Sequence, residues 1–206
     1  MRTLAHAFRA LLDLILPPTD TGRIVAEASE IEFGRLLSPI VTRSGVVALL
    51  PYRHRLVRAA VVEAKFNNNA RARKFLAQVL QDYLASIEEE SAELGQERYV
   101  VVPVPLGAAR KRERGYNQVE AVAQTASVPL QPALVRIRDT RPQTSLSRRE
   151  RLTNVRDAFS VHGAISPDIS YILLDDVVTT GATLLAAKDA LRKAGAHRIH
   201  SLALAH

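Results

Sequence analysis

Residues 172–184 read Ile-Leu-Leu-Asp-Asp-Val-Val-Thr-Thr-Gly-Ala-Thr-Leu: an apolar run, two adjacent acids, a small hydroxyl-rich loop and the start of a helix. Tyr171–Leu174 has the length and continuous apolarity of a strand covered on both faces of a parallel sheet. Ligands bind where such strands end. The loop Thr179-Thr180-Gly181-Ala182-Thr183 leads into residues 184–194, where Leu184, Ala187, Leu191 and Ala194 recur at helical spacing. A helix start offers backbone N–H groups and a partial positive charge, which together hold a phosphate. Two carboxylates about 4 Å apart repel by about 4 kcal/mol at an effective dielectric near 20, so something must offset Asp175 beside Asp176. Vicinal ribose hydroxyls can donate to both, and a hydrated Mg²⁺ can lie nearby, bound partly through the ligand's own phosphates. The order of residues describes a sugar-phosphate site. A shorter match, Asp-x-x-x-Thr alone, would equally describe the strand, Asp cap and helix of any α/β protein.

The chain around this stretch has 206 residues, 47% apolar and 24% charged, the composition of one globular domain with an appendage. There is no cysteine. Disulfides and thiolate zinc sites are therefore excluded, and a cytoplasmic location is expected. The six histidines form no ligand pattern. Leu4–Leu16 is amphipathic, with Leu4, Phe8, Leu11, Leu12 and Ile15 on one side, but Arg9 and Asp13 interrupt it. It is read as neither a signal peptide nor a membrane span, and as packing on the domain or on a second subunit of a homodimer, with membrane-surface contact the lesser alternative.

Other segments repeat the alternation of strand and helix. Short helices are expected around Ile24–Ala28 and Ile31–Leu37, a strand at Val46–Leu50, and a helix at Leu56–Lys65 that the Asn67-Asn68-Asn69 tract breaks. Leu76, Val79, Leu80, Tyr83, Leu84 and Ile87 give the clearest amphipathic helix. Tyr99–Val104 and Ile199–Ala205 read as strands, and Asn117 with Glu120 as a capping box. The order predicts an α/β fold with a mainly parallel central sheet flanked by helices, residues 51–206, preceded by a helical appendage or hood, residues 1–50.

The formal charge of +7 is unevenly placed: between Gly107 and Arg156 eleven basic residues meet four acids, so that segment carries all of it. Such a block attracts polyanions, diphosphate or nucleic acid. At its start Val101–Leu106 runs into a loop bearing Arg110, Arg112 and Arg114, whose alternation puts them on one side if the loop is extended. Gly115 permits backbone conformations closed to other residues. A solvated basic turn is the plain alternative for this stretch. Residues 136–156, dense in Arg, Ser, Thr and Pro, suit either a loop that closes over an anion or a flexible connection.

The stretch 172–184 resembles the phosphoribosyl diphosphate (PRPP) signature of type I phosphoribosyltransferases. Val-Pro-Val-Pro-Leu, Arg-Glu-Arg-Gly-Tyr-Asn-Gln and Arg-Asp-Thr-Arg-Pro-Gln, taken with it, resemble the ComF family of competence-associated proteins, over about Pro51 to the C-terminus. Tyr52–Phe66, with Lys65-Phe66, looks like that family's first helix. The resemblance implies that Asp175 and Asp176 bind the ribose, with Mg²⁺ near one of them. It implies that Val178, Thr179, Thr180, Gly181, Ala182 and Thr183 wrap the 5′-phosphate, while Arg110, Arg112, Arg114 and Gly115 receive the diphosphate. The implied reaction is transfer of a 5-phosphoribosyl group to an unidentified acceptor. The alternative is a non-catalytic PRPP- or nucleotide-binding accessory in DNA handling, with single-stranded DNA on residues 107–156 and a competence-machinery protein as partner. Members often carry an N-terminal four-cysteine zinc ribbon, which this chain lacks. Stacking aromatics for single-stranded DNA are scarce in the basic segment, where only Tyr116 is found.

Overall fold

The computed structural model describes residues 20–92, 98–138 and 157–206. Leu4–Leu16 and residues 139–156 lie outside them. Helices α1 (Asp20–Glu27) and α2 (Glu30–Gly34) come first, then the two-residue strand β1 (Ile40–Val41) and β2 (Val47–Leu50). Helices α3 (Arg55–Phe66) and α4 (Ala70–Ala92) lead to β3 (Tyr99–Pro103), α5 (Ala108–Arg114) and α6 (Gln118–Thr125). A hairpin of β4 (Leu134–Arg136) and β5 (Phe159–Val161) precedes β6 (Ser170–Val177), α7 (Ala182–Lys193) and β7 (Arg198–Ala205).

Five strands form one sheet in the order β1-β2-β7-β6-β3, parallel except for the antiparallel β1. Strands β6 and β7 are the long central pair, which is why their sequences are apolar on both faces. Ile172 and Leu174 face the core shared with α3, α4 and α6, whereas Tyr171 and Leu173 face the core shared with α7. The expected helical positions of α4 are confirmed by burial: Leu76, Val79, Leu80 and Leu84 are all within the first core. Each such side chain contributes about 1.5–3 kcal/mol through burial.

Residues 20–50 share these layers. Strand β2 pairs with β7 through Val47↔Leu202, Ala48↔Ala203 and Leu50↔Ala205, so residue 50 falls at the end of an interior strand. Phe33 of α2 is buried and stacks on Phe75 of α4 with ring centres 5.0 Å apart. Arg71 donates to the carbonyls of Val25 at 3.0 Å and Ala28 at 2.6 Å, which caps the end of α1 with a cation.

Three local expectations differ from the structure. Strand β6 does not stop at Leu174 but continues through both acids to Val177, because β7 supplies partners as far as Ala205. Ala182 and Thr183 are the first residues of α7 rather than loop. The basic stretch after β3 is the helix α5, not an extended loop. Its run of Ala, Arg, Lys and Glu has strong helix propensity, and Gly115, at φ 75°, ends it in the left-handed conformation.

Candidate functional site

Because β6 runs on through the acids, strand alternation sends their side chains to opposite faces of the sheet. Asp175 follows Leu173 toward α7, where it lines a small cavity with Val177, Val178, Thr179, Thr180, Gly181, Ala182, Thr183 and Leu184. All six residues expected to wrap a phosphate thus meet one of the two acids. Gly181 is the N-cap of α7, with φ 74°, and its carbonyl accepts the first helical bond from Leu185 N–H at 2.9 Å. The Thr180 hydroxyl accepts from Ala182 N–H at 3.4 Å, drawing the loop over the helix start.

Asp176 turns to the other face, toward α3 and α6. Lys65 Nζ donates to its Oδ2 at 2.7 Å and Gln118 Nε2 at 2.8 Å, while Val177 N–H donates to Oδ1 at 2.7 Å. Asp176 N–H in turn donates to Asp175 Oδ1 at 2.9 Å. The repulsion between the acids is therefore offset inside the protein, by one ammonium and three N–H donors. Their titration separates accordingly. Burial and the neighbouring Asp176 carboxylate push Asp175 up to about 7. Burial also acts against ionised Asp176, but Lys65, with Gln118 and Val177, outweighs it and holds that carboxyl below its ordinary value.

The cationic wall is joined to this network. Val104 N–H donates to Leu174 O at 2.9 Å, so the chain leaves β3 beside the acids. Asn117 folds the α5–α6 junction back, donating from Nδ2 to Val104 O at 3.1 Å and capping α6 by accepting from Val119 N–H at 3.1 Å. No reciprocal bond from Glu120 accompanies that cap among the described contacts. Arg110 and Arg112 are exposed on α5. On a helix Arg110 and Arg114 share a side and Arg112 points elsewhere, which corrects the single-sided arrangement expected of an extended loop. Arg114 is half-buried: its guanidinium donates to Gln118 Oε1 at 3.3 Å and lies 4.9 Å from the centre of the Phe66 ring. Its Nε is the one buried side-chain polar atom among the described residues without a hydrogen bond. Gly115 serves as the C-cap of α5.

Three contributors escaped the sequence-level reading of the site. Lys65 and Gln118 stand 111 and 58 positions from Asp176, and no local pattern links them. Ser44, in the β1–β2 turn, sits so close that a Cβ on Gly181 would collide with its hydroxyl. Only glycine combines that clearance with a positive φ.

A divalent cation fits the donor chemistry on one condition. Mg²⁺ is held by one or two carboxylates together with ligand phosphates and water. Asp175 opens onto the phosphate loop and is the carboxylate able to join it, while Asp176 is committed to Lys65 and Gln118. No group of three His, Cys, Asp or Glu side chains is arranged as a metal site among the described residues.

A larger cavity, about 750 Å³, lies elsewhere, toward the amino ends of β3, β6 and β7 and against Tyr83, Leu84 and Ile87 of α4. Its walls are chiefly apolar. The carboxylates, the helix start and the cationic helix all gather at the opposite, carboxyl ends, where open parallel sheets bind their ligands.

The mainly parallel sheet carries an acid and a Thr/Gly loop at the end of β6, and the family is shown by comparison: the chain belongs to the phosphoribosyl transferase domain family, whose model matches residues 66–206. Its relatives include competence proteins. It is 35% identical to competence protein F of Haemophilus influenzae, over 68% of this chain and 64% of that one. It is 32% identical to competence protein ComFC of Streptococcus pneumoniae over 68% of this chain and 59% of the relative, and 35% identical to ComFC of Bacillus subtilis over 52% and 44%. The matched stretch thus spans less than two thirds of each relative's length. No helix of the described residues is long and apolar enough to cross a membrane.

Proposed function

We propose that the protein binds PRPP with Mg²⁺ at the carboxyl end of β6 and transfers its 5-phosphoribosyl group to an acceptor, releasing diphosphate. The observation that carries this reading is the meeting of Asp175 with residues 178–183 around one cavity at the start of α7. The 5′-phosphate rests on that loop, where helix-end N–H groups and the Thr hydroxyls donate to it. Asp175 accepts from the ribose hydroxyls and is the carboxylate that would hold the cation, which when bound would supply positive charge for the diphosphate. Asp176, fixed by Lys65 and Gln118, positions Asp175 through its backbone N–H and adds negative potential beneath the sugar. Arg110 of α5, exposed and on the side that it shares with Arg114, faces the leaving group. In the reaction the C1–O bond breaks with its electron pair going to diphosphate, and the acceptor's lone pair forms the new bond at C1. Cationic character on the sugar is favoured by the carboxylates and the departing charge by Arg110, so catalysis is positioning with electrostatics.

Calorimetric titration with PRPP and Mg²⁺ tests the site. The parent protein is expected to bind and Asp175→Ala to lose at least tenfold in affinity; a parent protein that takes up no PRPP would end this reading. Diphosphate release over a panel of purines, pyrimidines and amines then tests the transfer.

A second reading is favoured by the exposed cations of α5 and by the competence relatives: a PRPP- or nucleotide-binding accessory in DNA handling. It expects single-stranded DNA affinity that falls steeply with salt and weakens in Arg110→Ala and Arg112→Ala. A flat response to salt excludes it.

A further inference from the structure

The cavity of about 750 Å³ at the amino ends of the strands takes no part in the phosphate site. The sheet itself creates it. Strand β2 begins beside β7 at Val47, opposite Leu202, so residues 198–201 of β7 have no neighbouring strand on that side among the described residues. Helix α4 passes over the unfilled corner, where Tyr83 and Ile87 stay only partly buried while Leu84 beside them is covered. Val47, Ile172 and Leu202 line it from the sheet. A volume between about 300 and 1,000 Å³ suits a small-molecule ligand. Ser170, also in the lining, lies five residues before Asp175 on β6, about 16 Å along the strand, and Asp175 faces the opposite side of the sheet.

The polar groups of the lining are few and unequal. Glu88 is the one carboxylate among the described lining residues, and it already has a partner in the Tyr99 hydroxyl, which burial and that charge keep protonated. Arg98 is different. It is exposed at the mouth, and its guanidinium has no hydrogen bond or ion pair among the described residues. The cavity thus combines an aliphatic interior with one uncompensated cation at its rim. A charge beside apolar walls attracts a counter-charge more strongly than one surrounded by water. A guanidinium matches the two oxygens of a carboxylate, whereas a phosphate dianion would call for more than one cation.

We propose that this cavity binds a free amphiphilic carboxylate, with its aliphatic body between α4 and strands β2, β6 and β7 and its head paired with Arg98. The site is separate from the one proposed for PRPP and does not rest on it.

Equilibrium dialysis of the full chain against labelled dodecanoate and dodecanol tests the assignment. Saturable uptake of both is expected, with dodecanoate the tighter. Arg98 lies at the surface, so Arg98→Gln keeps the fold; it should weaken dodecanoate about tenfold, the scale of one hydrogen-bonded contact to a charged group, and leave dodecanol unchanged. Val47→Phe, which fills the cavity from the sheet side, should abolish uptake of both. Uptake of neither compound by the parent chain, dodecanoate binding that survives Arg98→Gln or Val47→Phe, or displacement of dodecanoate by ribose 5-phosphate overturns the proposal. Uptake that appears only after Phe8→Ser and Leu12→Ser overturns it too, by giving the cavity to the chain's own amino-terminal residues.

Discussion

At Asp175 the folded chain holds a carboxyl whose pKa is pushed up to about 7, against an ordinary value near 3.9. The raised value means that ionisation is less favourable in the folded state than in the unfolded one. Below the unfolded pKa both states are protonated and nothing is lost. As pH rises from there toward 7 the unfolded chain sheds the proton first, so stability falls, and above 7 the loss is complete. Asp175→Asn removes this dependence. Thermal melting is expected to place the variant level with the parent near pH 4 and several degrees above it at pH 8, in the absence of ligand; parallel profiles would refute the assignment. The place of the two acids at the end of a strand and ahead of the Thr/Gly loop was legible, because the apolar run before them has the length and composition of a buried strand. That they divide between the two faces of the sheet was not, because the strand's end depends on how far β7 continues beside it.

Helix α5 shows how a correct charge can carry an incorrect shape. Arg110, Arg112 and Arg114 were readable as an anion-attracting group, yet the three differ once coiled: two remain in solvent and Arg114 is drawn against Phe66 and Gln118. Sequence spacing predicted one side from an extended period, where helix propensity imposes a period of 3.6 residues. The long-range partners of α3 and α6 were invisible for a related reason, since Lys65 and Gln118 acquire meaning only when two helices pack beside β6. Their importance is measurable. The side chains of the Lys65–Asp176 pair are 25% and 13% exposed, so the pair is partly shielded from water. Lys65→Met would leave Asp176 without its counter-charge and is expected to cost about 2–3 kcal/mol in chemical denaturation, below the figure for a fully buried pair. Adding Asp176→Asn should recover much of that loss; a double variant as weak as the sum of the singles would show that the two do not interact.

For the whole molecule, the fold class and its parallel sheet were legible from strands that are apolar on both faces and helices of clear period. The hairpin of β4 and β5 was not, since strands of three residues carry too few positions to show alternation. The role of the first described helices was also hidden, because Asp20–Leu37 is weakly patterned and gains its place through Phe33 on Phe75 and the cation of Arg71. Phe33→Ala is expected to cost about 3–5 kcal/mol and to lower a single cooperative transition; a separate early transition would mean that α1 and α2 fold as an independent layer. The position of β7 carries a consequence for biosynthesis. Residues 198–205 enter the middle of the sheet between β2 and β6, and Tyr52 and Leu50 exchange backbone bonds with His206 at 2.9 and 3.0 Å. Strand β2 emerges from the ribosome some 150 residues before the strand it must pair with. Until β7 is made, β1 and β2 have no place beside β6, and the nascent chain keeps two adhesive edges exposed. A frameshift or nonsense change removing β7 would thus yield not a shortened binder but an open sheet, a substrate for chaperones and proteases.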